Sequence, residues 1–371
     1  MDAQAVETHG IISSKTIHAE SIPIVNDPKR ILIFQTAFLG DVILTLPMIQ
    51  VLHQRFPQAT IDVVTTPAAS QFLSNHPAVN RVIPYDKRKT QRGLKGIVAL
   101  SIFLSRGKYD LAIAPHRSIR TSSIIALSGI KNRIGFSTAS GKFLYNHTVQ
   151  YVSSKHEIER NLDLLTPLGI QLQERELPSL YPSQKDSDFV KKFLFEREIL
   201  NQEKMIAIAP GSVWNTKRWP LERYAELALM LANDGYVVWI IGGSDDALLG
   251  KTIVDSSHHK DIHDTTGHLS LLQSAELIRR CRILISNDSA PLHIGVAMRT
   301  PVVAIFGATV PEFGFAPYGK DDIVIETKGL DCRPCAIHGG HTCPIRTFVC
   351  MKNIETKLVY EKTRHLLQTR K

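Results

Sequence analysis

From Arg30 onward the chain alternates short β-rich runs with stretches of helical spacing, stops once, and then begins the same alternation again. Strands that alternate with amphipathic helices build largely parallel sheets, because each helix carries the chain back to the start of the next strand. In the first half, "RILIFQ", "TIDVVTT", "RVIPY" and "DLAIAP" have the apolar, β-branched character of strands. Between them, "DVILTLPMIQVLHQRF", "AASQFLSN" and "GLKGIVALSIFLSRG" place apolar residues at helical intervals. "NRIGF" and "HTVQYV" add strands, and "HEIERNLDLLTPLG" reads as a helix stopped at Gly169.

A polar, Pro-containing stretch from about Gln171 to Lys185 is the linker. The rhythm then restarts with "MIAIAP", "PLERYAELALMLANDG", "VVWIIGG", "SLLQSAELIRRC", "ILISND", "APLHIGVAM" and "VVAIFG". Two similar α/β domains facing each other across a cleft is the expected architecture. The expected boundaries are an extension over 1–28, domains over 29–175 and 186–351, and a basic terminal helix over 352–371. At 371 residues the chain also exceeds what one ordinary core organises.

No run of about 18 apolar residues appears, so no membrane-spanning helix is expected. The first 28 residues hold no apolar stretch between a basic start and a small-residue cleavage site, and so do not read as a signal peptide. The cytoplasm is the expected compartment. The net charge of +9 favours anionic partners such as phosphates, a membrane surface or nucleic acid.

Four strand-to-helix corners carry the chemistry. In "RILIFQTAFLGDVILTLP" a carboxylate, Asp41, follows Gly40 where sheet turns into helix. Such an Asp can cap the helix, or it can stand at the carboxyl edge of a parallel sheet, where open α/β folds hold ligands. In "IAIAPGSVWNTKRWP", Gly211 allows close backbone approach, Ser212 adds a hydroxyl, and Lys217 and Arg218 follow. Small residues, free amides and a lysine suit a diphosphate. In "ILISNDSAPLHIGVA", Asp288, Ser289 and Ala290 precede a helix opened by Pro291, with its first amides free for an anion. His293 lies one turn further in. In "VVWIIGGSDDALLG", Asp245 or Asp246 can hold a ribose, or simply start a helix. Neither a G-x-G-x-x-G nor a P-loop pattern is present, which removes the main support for a nicotinamide cofactor or nucleotide hydrolysis.

"FLGDVILTLP", "APGSVWNTKRWPLERYAELA" and "ISNDSAPLHIGVAMRTPVVAIFG", in this order over roughly residues 30 to 350, resemble glycosyltransferase family 9, the heptosyltransferases of lipopolysaccharide core assembly. The resemblance implies two Rossmann-like domains (the GT-B fold), the first binding acceptor and the second binding donor. It implies inverting transfer of heptose from ADP-heptose without a catalytic metal. Asp41 matches the family's general base. Ser212, Val213 and Lys217 match one donor-phosphate loop, Asp288, Ser289, Ala290 and His293 the second, and Asp246 the adenosine-ribose contact. The cysteine-rich segment resembles the branch that adds the second heptose. The implied acceptor is phosphorylated Kdo-lipid A bearing heptose, which brings a transient, peripheral contact with the inner face of the cytoplasmic membrane.

A phosphorylated acceptor calls for cations. Arg117, Arg120 and Arg133 are placed for this at strand ends of the first domain, and His156, Glu157 and Arg160 start a helix nearby. Cys332, Cys335, Cys343 and Cys350 follow C-x2-C-x7-C-x6-C with His338 and His341 inside; the irregular spacing favours a loop of reduced thiols, with a structural zinc on four thiolates as the alternative. No other cofactor is expected. Two rivals are another nucleotide-sugar enzyme, such as an epimerase with bound nicotinamide, and a nucleic-acid-binding module. Aromatic residues make up only 7% and do not interleave with basic runs, which argues against nucleic acid.

Overall fold

The computed structural model describes residues 24–171, 174–199 and 202–369. The extension expected over 1–28 therefore lies outside the described residues apart from 24–28. In the first half, β1 (Arg30–Phe34), β2 (Thr60–Thr65), β3 (Arg81–Pro84), β4 (Leu111–Ala114), β5 (Asn132–Phe136) and β6 (His147–Val149) form one sheet. In the second half, β7 (Met205–Ala209), β8 (Val237–Ile240), β9 (Ile262–Asp264), β10 (Ile283–Asn287), β11 (Val302–Phe306) and β12 (Ile323–Glu326) form another. The orders are β3-β2-β1-β4-β5-β6 and β12-β11-β10-β7-β8-β9, with parallel pairing throughout. Counted from its own first strand, the second sheet repeats the order of the first. These are the two Rossmann-like domains that the resemblance implies.

The helices are α1 (Leu39–Arg55), α2 (Ser70–Leu73), α3 (Gly93–Ser105), α4 (Ile119–Leu127) and α5 (Glu157–Asp163) in the first half. They continue as α6 (Gln184–Phe195), α7 (Leu221–Asn233), α8 (Ala247–Ser257), α9 (Leu271–Arg280), α10 (Ala290–Ala297), α11 (Val349–Lys352) and α12 (Thr356–Thr369). Every residue of β7, β10 and β11 is buried, which is why those runs are apolar throughout and do not alternate. Between the sheets, α1 packs on α5 and α10, and α6 on α9. Their apolar residues join both domains in one buried cluster. The outer faces keep separate clusters.

Several elements escaped the sequence patterns: α4, α6, and the short outer strands β9 and β12, whereas α8 starts at the acidic pair as its alternative reading had it. The stretch read as linker already contains the start of α6, where Ser183 and Asp186 form a capping box. The single helix expected over 352–371 is interrupted at Asn353–Glu355. There the Ile354 carbonyl accepts the Trp219 indole N–H at 2.9 Å instead of a helical amide. Thereafter α12 packs on α7 through Val359, Thr363, Leu366 and Leu367.

In each sheet the strand order reverses at the centre, between β1 and β4 and between β7 and β10. The loops that leave these four strands at their carboxyl ends border the crevice where open α/β sheets bind ligands. Three of the four corners singled out in the sequence leave β1, β7 and β10.

Candidate active site

At the first corner, Asp41 Oδ2 accepts the Phe38 amide at 3.0 Å and so ties the start of α1. The cap is real, but it uses one carboxylate oxygen and is compatible with a second role. Burial, with Glu157 adding to it, pushes the Asp41 carboxyl up to about 6; the Phe38 amide and Arg117 oppose this. A carboxylate that titrates near neutral pH is suited to accept a proton in a transition state. The form that accepts a proton is the ionised one, so turnover should fall about tenfold per unit as pH drops below about 6. A pH–rate profile flat from pH 7 to 5 would contradict this assignment.

Gly40 has a steric reason. A Cβ there would come within 2.9 Å of His293 Cδ2, so only glycine lets α10 of the second domain approach α1 this closely. His293 is buried, and burial, together with His156 and Lys217, pulls its pKa down to about 3. The ring is therefore neutral. It packs at the domain junction while also bordering the cavity.

The donor loops meet Asp41 across that junction. A cavity of about 190 Å³ is lined by Asp41 together with Ser212, Val213, Lys217, Asp288, Ser289, Ala290 and His293. The corner from β1 thus meets the corners from β7 and β10. Lys217 Nζ pairs with Asp288 Oδ2 at 2.6 Å, and Thr309 donates to the same oxygen at 2.6 Å. Asp288 thereby holds the ammonium of one loop from the other. The Ser289 hydroxyl donates to the Gly211 carbonyl at 3.2 Å and joins the loops a second time. Within the first loop, Arg218 Nε donates to the Ser212 carbonyl at 2.8 Å. Pro291 lies in the first turn of α10, where its missing N–H costs nothing and the neighbouring amides stay free for an anion.

Asn287 stands at the same corner as Asp288, and its sequence context gives it no role. Fully buried, it accepts from the Trp219 amide at 3.1 Å and the Tyr224 hydroxyl at 2.8 Å, and donates to the Pro210 carbonyl at 2.8 Å. It fixes the two donor loops to one geometry.

A second, larger cavity of about 800 Å³ opens on the first domain and shares Phe38, Leu39, Asp41, Phe315 and His338 with the first. Asp41 therefore stands where the two meet. Arg117 lines this cavity, held 4.0 Å over the Tyr151 ring. Lys87, Arg88 and Lys89, from the loop after β3, line it too, unmarked in the sequence reading. Burial lowers the Lys87 ammonium, and Arg120 and Arg88 lower it further, so cations crowd one another there. Such crowding favours an anion. His116, also on the wall, is pulled to about 4 by burial and by Lys87, Arg117 and Arg120.

Other sequence candidates stand elsewhere. Arg120 is not at a strand end but in the first turn of α4, acting on Lys87 and His116 from behind the wall. Arg133 lies at the amino end of β5, the wrong end of a parallel strand for a ligand. Its guanidinium is spent on the carbonyls of Leu144, Ile130 and Lys131. Arg160 is buried, ion-paired with Glu157 at 2.8 Å, and donates to the Phe313 carbonyl of the second domain at 2.8 Å. His156 caps α5 and bonds the Ala316 carbonyl at 2.9 Å. This group ties the domains together, although Glu157 also reaches the larger cavity. Asp246 accepts the Gly243 amide at 3.1 Å and sits against Gly211, where a Cβ would meet its carboxylate at 2.2 Å. It backs the donor loop without lining the cavity.

The cysteine-rich segment proves to be the roof of the site. Ile337 and His338 line the smaller cavity, and His338 stands 5.9 Å from the Phe38 ring of the first domain. Gly340 and Thr216 exchange hydrogen bonds of 2.8 and 3.0 Å, which docks the segment on the donor loop. All four cysteines are free. Slight burial raises Cys343, but the amides of Phe348, Ile345, Thr347 and Arg346 outweigh it and hold the thiol low. Burial raises Cys350, with Cys335, Cys343 and Cys332 adding to the effect, so the thiols feel one another. Among the described residues no three ligand-type side chains are gathered closely enough to hold a metal.

A sequence model of glycosyltransferase family 9 (heptosyltransferase) matches residues 97–341. Lipopolysaccharide heptosyltransferase 2 of Escherichia coli K12 is 28% identical over 296 residues, covering 76% of this chain and 84% of that one. The glycosyl transferase family 9 structure from Veillonella parvula superposes with a TM-score of 0.82 at 25% identity, over 92% of this chain and 98% of that one. The structure of E. coli ADP-heptose lps heptosyltransferase II gives a TM-score of 0.76 at 25% identity, over 92% and 99%.

Proposed function

The chain belongs to glycosyltransferase family 9, the heptosyltransferases, and on that premise we propose that it transfers heptose from ADP-heptose to the inner core of lipopolysaccharide, adding the second heptose. The observation that carries this reading is the position of Asp41, a carboxylate pushed up to about 6 where a phosphate-type cavity meets a cationic one. An acceptor hydroxyl in the larger cavity forms a bond to the anomeric carbon while the bond from that carbon to the diphosphate oxygen breaks. The electron pair leaves with ADP and the proton goes to Asp41. Attack from the face opposite ADP inverts the anomeric centre. Lys217 and the amides at the start of α10 take the leaving charge, so the step needs no divalent ion. Asp246 is left for the adenosine ribose behind the donor loop.

The acceptor is a lipid-linked, phosphorylated saccharide, which places the work at the inner face of the cytoplasmic membrane. Among the described residues no helix is long and apolar enough to cross a membrane. Arg117 and Lys87 are assigned to the acceptor's anionic groups. Replacing both by Ala should raise the acceptor KM about tenfold or more while leaving ADP affinity unchanged. If ADP affinity falls and the acceptor KM does not, the two cavities are wrongly assigned.

The cysteine spacing is irregular beside paired C-x2-C zinc knuckles, so a loop of reduced thiols is the favoured reading and structural zinc the alternative, although the amides around Cys343 suit a thiolate. The thiols would have to close up to ligate zinc. If zinc is held there, purified protein contains about one equivalent per chain, and its slow removal lowers Tm more than it lowers the initial rate. Metal-free protein of the same stability removes zinc from the account.

A further inference from the structure

The outer surface of the first domain carries a helix that is apolar on both sides. One side of α3, with Gly96, Leu100 and Leu104, is buried over the sheet and beside α4. The other presents Leu94, Val98 and Ile102, spaced four residues apart in one row, and they are 79%, 50% and 51% exposed. A helix apolar all round belongs in a core or against a membrane, and nothing in the described chain covers this row. On α4, which packs on α3, and on the turn that packs on α4, Leu127 and Phe143 are likewise 63% and 76% exposed.

The charge around this row has one sign. Between Lys87 and Lys108 the chain holds seven basic residues and no acidic one. Lys95 is exposed beside the row, one residue after Leu94, and Arg92 is exposed at the start of the helix. The same segment begins with Lys87, Arg88 and Lys89 on the wall of the larger cavity, and α3 starts four residues after Lys89.

We propose that the outer face of α3, with Leu94, Val98 and Ile102, is a docking surface for an anionic lipid bilayer. The apolar row enters the headgroup boundary while the flanking lysines and arginines bind anionic headgroups. Docked in this way, the rim of the larger cavity lies at the lipid surface, where a membrane-anchored acceptor presents its sugar. The proposal rests on the heptosyltransferase reading only for the source of the bilayer.

The test is co-sedimentation of the full chain with vesicles of equal parts phosphatidylcholine and phosphatidylglycerol, and with phosphatidylcholine alone. Two double variants accompany it: Leu94→Glu with Ile102→Glu, and Arg92→Glu with Lys95→Glu. All four positions are exposed and outside both cavities. The native chain should bind the anionic vesicles, and each variant should bind roughly tenfold or more weakly, with ADP binding and transfer to a delipidated acceptor unchanged. A native chain that ignores anionic vesicles, or variants that bind them as well as it does, would overturn the proposal. So would a native dimer that the Leu94/Ile102 variant splits, which would give the face to a second copy of the chain. Vesicle binding lost in both variants, but without any transfer to soluble acceptor, supports the docking face and counts against the transferase reading alone.

Discussion

Asp41→Asn is expected to fold, to bind ADP, and to turn over roughly 10²- to 10⁴-fold more slowly than the native chain. Asn keeps the contact to the Phe38 amide that Asp41 makes at 3.0 Å, so the start of α1 is preserved. It cannot accept the proton released by the acceptor hydroxyl. ADP binding is spared because Lys217, Ser289 and Ala290 come from the other domain.

Stability gives an independent sign. The folded-state pKa of Asp41 is raised from 3.8 to about 6, so what this group contributes is present below 3.8 and is lost as pH rises through about 6. The Asn variant should therefore be at least as stable as the native chain at pH 8. A variant that unfolds at pH 8, or one with near-native turnover, would contradict the double role of cap and base.

Lys217→Ala should weaken ADP roughly 10- to 150-fold, the loss of a charge-assisted contact of about 1.5–3 kcal/mol. The ion pair with Asp288 sharpens the interpretation. With Lys217 gone, Asp288 remains as a nearly buried carboxylate held by Thr309, and it then faces a diphosphate with its own charge. The single variant thus combines a lost attraction with an exposed repulsion. Replacing Asp288 by Asn as well should recover part of the loss, and calorimetry with ADP reads both effects. Unchanged ADP affinity in Lys217→Ala would remove Lys217 from the donor site.

The parts of the site that were legible in the sequence share one physical origin. Gly211-Ser212 and Asp288-Ser289 follow β7 and β10 almost directly, Gly40-Asp41 opens the helix that follows β1, and a parallel sheet sends every strand's carboxyl end to the same side. Strand direction could also have excluded Arg133, which begins "NRIGF" and does not end it. A guanidinium looks the same in sequence at either end, and only the direction of the strand separates Arg117 from it. Asn287 was hidden for another reason. Its partners, the Trp219 amide and the Pro210 carbonyl, lie 68 and 77 residues away, and no local pattern encodes them. His338 was read through the cysteine spacing around it, whereas its position over the cavity depends on the docking of Gly340 on Thr216. The missing α6 was legible after all, in the Ser183–Asp186 capping box. The edge strands β9 and β12 are three and four residues long, too short for a periodic signal to stand out.

Heptose transfer at the junction of the two cavities is tested most directly by the reaction itself. Purified native chain is incubated with ADP-heptose and a delipidated, phosphorylated inner-core acceptor that carries one heptose, in the presence of EDTA. Stoichiometric ADP is expected, with an acceptor heavier by one heptosyl unit and the anomeric centre inverted relative to the donor. An acceptor of unchanged mass, with ADP-heptose intact or merely hydrolysed, would contradict heptose transfer.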